Sequence, residues 1–552
     1  MLSYPLAVVP IVTSAGSAVL PTLIAAGGTF VGLLFKPREL WAACKRKPHV
    51  PLLVVAGAAT LWGGIHLLQT RDEGRAAQRA RNPAAAGTVR AGPTDWTRIA
   101  LEIIQQQKLS SSADVAPPPD VPPQADETIA ASSAASIYRG GPQRRGWDRG
   151  ASPSELSVAW RYYPTYVDEG GAVVEDTDAM VLSTPLGIGD RVYGASCLMD
   201  PPDTFGAIFC IDAATGEQRW ITELVGDKDL KGFFSSPALS ADKKSLVIGQ
   251  GLHPDTDCML LCLDAQTGTV RWSVPTDLHI ESSPAIEGNL IVVGCGAIEN
   301  PSNHQPLSHP GYVLAVALDT GKQLWRFDLP DPESSPVIVD GVAYIGSGFN
   351  GNAVVALRTQ SDAQLSQQKQ ERLLWKVESK YPITGAVTVI GDTVLVGGGN
   401  GDFVYSAQQP AGIVMAINKH SGDLIWTTEL PDSVLGSLAT DGDLVLCPVA
   451  NGEVHALDVQ TGEARWSVSA NGRSPLLAGA ALTPDSVYVV SKDGYLIRLS
   501  LQDGAVQEKH YLNNPQQPGA LGLSISSPTV ADGRVYVGSE TGGLLCLQAN
   551  RR

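Results

Sequence analysis

Glu281 and Glu333 each stand directly before a copy of the same tripeptide, Ser282–Pro284 and Ser334–Pro336. If the copies are equivalent positions of a repeat, both carboxylates reach the same end of adjoining elements. Two close carboxylates suit a cation or a basic group, and the same residues also serve as ordinary solvated loop acids. His253, Asp255 and Asp257 share one loop, and His304 and His309 share another. Each set offers metal-ligand chemistry or simply solvated side chains. Phe233 and Phe234 precede a third copy of the tripeptide, Ser235–Pro237, and Phe403 and Tyr405 lie in a fourth loop. No Ser-His-Asp nucleophile motif accompanies them, and the eight cysteines form neither a CxxC nor an adjacent pair. The set therefore reads as a candidate binding face, with no catalytic residue and no haem attachment.

The elements that must position these residues recur. An apolar run followed by Asp-x-x-Thr-Gly-x-x-x-Trp appears at CIDAATGEQRW, CLDAQTGTVRW and ALDVQTGEARW, with variants VALDTGKQLW and INKHSGDLIW. Copies spaced by roughly 40–50 residues fall in the propeller range. Alternating apolar residues predict a half-buried strand, Asp and Thr can hold a turn, and Gly supplies its left-handed residue. Trp160, Trp220, Trp272, Trp325, Trp375, Trp426 and Trp466 then fall on outermost strands, where a large ring packs blade on blade. Proline in Ser-Ser-Pro marks the start of the innermost strand. One unit is thus four strands, A to D from inside to outside. A seventh unit has Glu508 in place of Trp, and an eighth, Ser526–Leu547, stops after its third strand. Leu156–Tyr162, carrying Trp160, supplies the missing strand and closes the ring. The expected fold class is all-β, an eight-bladed β-propeller of four-stranded antiparallel blades over residues 138–550.

Two transmembrane helices and a flexible linker are expected before it. The apolar stretches about 6–35 and 50–68 approach the ~20 residues that span a bilayer, so residues 1–70 read as a membrane anchor. The loop between them carries Lys36, Arg38, Lys45, Arg46 and Lys47, which keeps it cytoplasmic and the propeller on the extracytoplasmic, periplasmic side. Arg71, Arg75, Arg79 and Arg81 pull the other way, toward a cytoplasmic domain. Residues 71–137 are rich in Ala, Pro and Ser and read as a tether, with a short amphipathic helix near 94–108. Lys and Arg number 16 against 10 acids over residues 1–150, and 24 against 46 beyond. A body so acidic repels phosphate backbones, so no nucleic-acid partner is expected. Cys210, Cys262 and Cys546 occupy equivalent strand positions as small buried hydrophobes. Cys197 and Cys258 fall in loops, free to pair in an oxidising compartment or to remain thiols.

The repeat resembles the pyrroloquinoline-quinone-like (PQQ-like) propellers over about residues 138–548, including the lead-in YRGGPQRRG. That family includes quinoprotein dehydrogenases and the BamB-like propeller of the outer-membrane β-barrel assembly machine, the closer in character. For a dehydrogenase the resemblance implies a quinone over the channel, a calcium ion and a catalytic Asp. Many alcohol-oxidising members add two adjacent cysteines, and some a CxxCH haem domain. Neither occurs here, although the glucose-oxidising members also lack the cysteine pair. No calcium set is identifiable, so none of the family's sites is carried over. In such propellers the D–A and B–C loops share one face. Here the B–C loops 196–206, 250–259, 296–311 and 399–412 are long, and those of blades 6 to 8 are short. The expected function is a membrane-tethered, non-catalytic scaffold binding a protein or an envelope polymer. The alternative is a membrane-bound PQQ- and calcium-dependent dehydrogenase of an alcohol or sugar.

Overall fold

Short apolar runs between turns fold into antiparallel strands, four to a sheet, in a computed structural model of the chain. It describes residues 139–550 apart from 140, 142, 151, 168–171, 201–202, 254, 299–303, 403–405, 518 and 520. Eight four-stranded sheets form the blades. Blade 3 is typical, with strands Ala285–Glu287, Leu290–Cys295, Tyr312–Ala317 and Gln323–Asp328 from A to D. Its B and C strands are buried between neighbouring blades and are almost wholly apolar, whereas strand D alternates between exposed and covered positions. Blade 8 comprises Thr529–Ala531, Arg534–Gly538 and Leu544–Ala549, and its outer strand is Leu156–Tyr162. This closing strand pairs antiparallel with Leu544–Ala549 and sets Trp160 opposite Cys546.

One geometry repeats at the outer strands. The register shifts by one residue just before each Trp, so the preceding residue is bulged out of the pairing. A small residue faces the ring across the pair: Cys210, Cys262, Ala315, Ala356, Ala416, Ala456 and Cys546. Each indole N–H donates to a backbone carbonyl of the following blade at 2.8–3.3 Å. Beneath the ring of Trp426 lies Gly462 of the next blade's C–D turn, with φ +72°, between those of its equivalents Gly422 (+77°) and Gly321 (+69°). A Cβ on Gly462 would come within 2.5 Å of the Trp426 ring. Glycine is thus required there by close approach as well as by backbone conformation.

The turn's Asp has two tasks. In blades 1, 2 and 6 its Oδ1 accepts backbone N–H groups two and three residues on, as at Asp458 from Gln460 and Thr461. Its Oδ2 accepts the bulged arginine, Arg219 to Asp212, Arg271 to Asp264 and Arg465 to Asp458, at 2.5–2.6 Å. The inner strands are tied differently. Ser235, Ser282, Ser334 and Ser526, the first serine of each Ser-Ser-Pro, donate to a carbonyl of the next blade at 2.8–2.9 Å.

Several features lie beyond the sequence expectation. A helix, Asp362–Gln368, interrupts blade 4 between strands C and D; Ser361 and Gln364 form its capping box. The displaced turn leaves Trp325 without its glycine partner, and the Arg372 guanidinium lies 4.1 Å from that ring instead. The B–C loop of blade 1 folds into an added hairpin, Leu198–Asp200 with Asp203–Phe205. The lead-in runs along the inner strands of blades 5, 6 and 7: Val389, Thr440 and Leu482 donate backbone N–H to Gln143, Arg145 and Gly146. Arg144 spans the ring, since its carbonyl accepts from Thr388 while its guanidinium donates to Ser283 and Pro284. Arg139 similarly ties Leu438 to Ala480.

Cys258 begins strand Cys258–Asp264, correcting its placement in a loop. It and Cys197 are buried, unpaired thiols, as are the other described cysteines, and burial pushes both well above the ordinary thiol range. Both apolar N-terminal stretches, the linker and the short helix near 94–108 lie outside the described residues. Among the described residues, no helix is long and apolar enough to cross a membrane.

Two outcomes follow from the blade contacts. Trp426→Ala removes a buried ring and a blade-to-blade hydrogen bond, so urea denaturation should show a loss of about 3–5 kcal/mol. A loss under about 1 kcal/mol would mean the ring does not fasten blade 5 to blade 6. The hydrogen bond from Arg465, then the backbone N–H of Thr461, lowers the Asp458 carboxyl to about 2. Its stabilisation is complete above the unfolded carboxylate range, about 3.9, and disappears as pH falls through that lowered value. Asp458→Asn should therefore lower Tm at pH 7, with the gap to wild type closing as pH falls from 4 toward 2.

Candidate functional site

The D–A connections lead from the outer strand of one blade to the channel mouth of the next, and that of blade 2 has neither turn nor bend over 279–281. In an extended chain, side chains two apart share a side. His279 and Glu281 have that spacing before Ser282, and Glu333 holds the position equivalent to Glu281 in the next blade. His253 comes from the B–C loop of blade 2. Its backbone N–H donates to Glu281 Oε1 at 2.9 Å, which folds this loop toward the mouth.

Four side chains from blades 2, 3 and 4 thereby meet. His253 Nδ1 lies 2.9 Å from Glu333 Oε1 and 3.7 Å from Glu281 Oε1. His279 Nε2 lies 3.0 Å from the same Glu333 oxygen. One ligand atom from each of the four falls within 4.8 Å of all the others. The side chains of His279 and Glu333 are 0% and 8% exposed, whereas that of His253 is 44% exposed and forms the open side. Burial would lower His253, but the carboxylates of Glu333 and Glu281 outweigh it and hold its imidazolium well above the ordinary histidine range. Burial would likewise raise Glu333, yet His253 and His279 keep it well below the usual carboxylate range. Room for the cluster comes from Gly296, where a Cβ would lie 2.4 Å from His279 Nε2. Such a set can hold a cation or a protonated basic group.

The other expected residues go elsewhere. Asp255 is buried and locks loops together, accepting from Thr204 Oγ1 at 2.7 Å and from the Leu252 N–H at 2.8 Å. Asp257 is exposed, at a left-handed φ of 53°. His304 stacks on Phe349 of blade 4, with ring centroids 3.9 Å apart, while His309 contacts Arg326 and Asp328 on the outer strand of blade 3. The structure does not join this pair as ligands: His253, His279, Glu281 and Glu333 are the one such group among the described residues. Phe233 is fully buried in the core between blades 1 and 2, so its placement on the face is corrected. A backbone bridge to Gly251 turns it inward. Phe234 lines the channel with Glu281 and Glu333. Phe403 and Tyr405 lie outside the described residues. His279 escaped sequence reading, although its position two residues before Glu281 was a usable signal.

The channel wall gathers residues from all eight blades, mainly Ser, Thr, Gly, Ala and Leu, with Glu281 and Glu333 and, among the described residues, no lysine or arginine. A family model described as "Outer membrane protein assembly factor BamB" matches residues 204–369 and 309–552. The chain belongs to this PQQ-repeat propeller family. The BamB of Shewanella oneidensis is 24% identical over 388 residues, covering 66% of this chain and 87% of the relative. The quinohemoprotein alcohol dehydrogenase ADH-IIG of Pseudomonas putida is 24% identical over 335 residues, covering 56% of this chain but 41% of the enzyme. The crystal structure of BamB from Moraxella catarrhalis superposes with a TM-score of 0.51 at 17% identity, over 72% of this chain and 99% of that one; this likeness shows the fold alone.

The family's dehydrogenases raise the question of PQQ, a planar tricarboxylate. A wall whose described lining residues include two glutamates and no lysine or arginine does not fit such a polyanion. Calcium prefers six to eight oxygens, and two imidazoles at the cluster do not fit it either.

Asp255→Ala frees both loop donors. Hydrogen exchange should quicken by about tenfold or more within 196–206 and 250–258 and stay unchanged in blades 5 to 7. Unchanged protection in both loops would show that Asp255 does not hold them.

Proposed function

We propose that this chain is a non-catalytic scaffold of the cell envelope, tethered to the membrane and holding a protein partner or an envelope polymer on its loop-rich face. One observation carries the reading: each long loop is locked to a neighbouring loop or connection. Thr204 of the blade 1 loop donates to Asp255 of the blade 2 loop, and Gln305 of the blade 3 loop donates to Asn350 of blade 4 at 2.8 Å. His304 stacks on Phe349 across the same boundary, and Ser406 of the blade 5 loop donates to Asp432 at 2.8 Å. A ledge fixed before binding loses little conformational entropy when a partner docks.

The face comprises Phe234, His253, Glu281, Glu333 and His304, with Phe403 and Tyr405 in the blade 5 loop. Membership of a family described as an outer-membrane assembly factor supports a protein partner. Residues 1–70 serve as a two-helix anchor and 71–137 as a tether, with the propeller of 138–550 on the periplasmic side. The basic loop between the two apolar stretches supports this orientation.

Affinity capture from detergent-solubilised membranes tests the face. Shortening 296–311 and 399–412 together should cut partner retention by at least about tenfold while the ring still folds. Full retention by the folded variant would overturn the loop-face reading. In parallel, the intact protein is titrated with PQQ and calcium and assayed with a dye acceptor over alcohols and sugars. Tight PQQ binding with turnover would replace the scaffold by a dehydrogenase.

A further inference from the structure

We propose that His253, His279, Glu281 and Glu333 form a single site for a divalent transition cation of the zinc class. The donor set is the first reason. Imidazole with carboxylate suits zinc and its neighbours, whereas calcium and magnesium select oxygen. Spacing is the second. Zinc bonds of about 2.0–2.2 Å arranged tetrahedrally put ligand atoms about 3.3 Å apart. Three of the six separations, 2.9, 3.0 and 3.7 Å, bracket that edge and all six lie within 4.8 Å, so side-chain rotations that draw in the wider pairs would complete the shell.

Charge is the third reason. Two carboxylates with two neutral imidazoles carry a formal charge of −2, which a divalent cation neutralises. A divalent ion binding at His253 Nδ1 therefore takes the place that a proton holds between the two carboxylates, and it balances both of their charges where a proton balances one. The fully buried His279 adds to this. Its Nε2 faces the cluster, while its Nδ1 has no hydrogen-bond partner. The ring's polar contact is therefore directed wholly into the site. Its carriers are also fixed, since Glu281 and Glu333 lead into the inner-strand serine belt. Exposed His253 gives an ion its way in. This site stands apart from the scaffold reading, because neither requires the other.

The test uses untagged full-length protein in detergent, stripped with chelator and then titrated with zinc by calorimetry. Cobalt provides the second readout, since a tetrahedral site gives strong visible bands that zinc abolishes. One ion per chain is expected, unaffected by excess calcium. His253→Ala, on the open side, and Glu333→Gln should each weaken zinc by at least about tenfold and bleach the cobalt bands. His309→Ala, which lies on the outer strand side, should change neither. Far-UV circular dichroism checks that each variant is folded, and if Glu333→Gln is not, the His253 variant alone decides. Absence of stoichiometric zinc binding would overturn the proposal. So would binding that survives His253→Ala in a folded protein or depends on His309.

Discussion

The contact between one blade's tryptophan and the next blade's turn is the constraint on which the ring depends. The indole must donate to a carbonyl across the blade boundary while lying flat on a turn glycine. A one-residue bulge immediately before the ring aims it there, and a Cys or Ala opposite leaves it room. A Cβ on the glycine would lift the ring, and a regular strand would turn it to the other side. Because the contact joins seven of the eight blades to their successors, the series must end by returning to its start. Trp160 does this from the closing strand, donating to Ala213 of blade 1.

Two departures show how the frame tolerates change. Blade 7 has no tryptophan, and Arg498 faces Glu508 across the pair instead. Glu508 accepts the backbone N–H of Leu156 at 2.6 Å, so a carboxylate holds the closing strand at its first residue. In blade 4 the inserted helix removes the turn, and Arg372 covers Trp325 in its place. A cation over an indole face substitutes for a glycine under it.

The mouth inherits its precision from this frame. Inner serines bond blade to blade, and the residues just before them are carried to the same height around the channel. Acids in that position on two successive blades must approach each other, and the blade 2 loop brings an imidazole between them. The opposite side of the ring is tied by the lead-in, whose Arg144 joins strands of blades 3 and 5. Both sets of contacts resist separation of non-adjacent blades, which nearest-neighbour packing alone does not address.

The architecture was legible in the sequence because its rules are local. Asp, Thr, Gly and Trp at fixed spacing specify a turn and a packed ring within about ten residues, and the truncated last unit beside the orphan Trp160 strand revealed the closure; the bulge before each ring appeared only in the strand register. Glu281 and Glu333 were legible for the same reason, as equivalent positions of a repeat. The remainder depended on what faces what. His279 joins the cluster because the chain over 279–281, free of turn or bend, aligns it with Glu281. Asp255 leaves the ligand set because Thr204, from another blade, claims its carboxylate. His304 and His309 are five residues apart, yet one stacks on Phe349 and the other turns to the outer strand. Phe233 sinks into the core while its neighbour Phe234 lines the channel. Sequence thus determined the blade and the number of blades, since short-range hydrogen bonding and periodic burial encode them. Only the tertiary structure decided which polar side chains share a site, because residues from three blades meet through the ring's curvature rather than through their spacing along the chain.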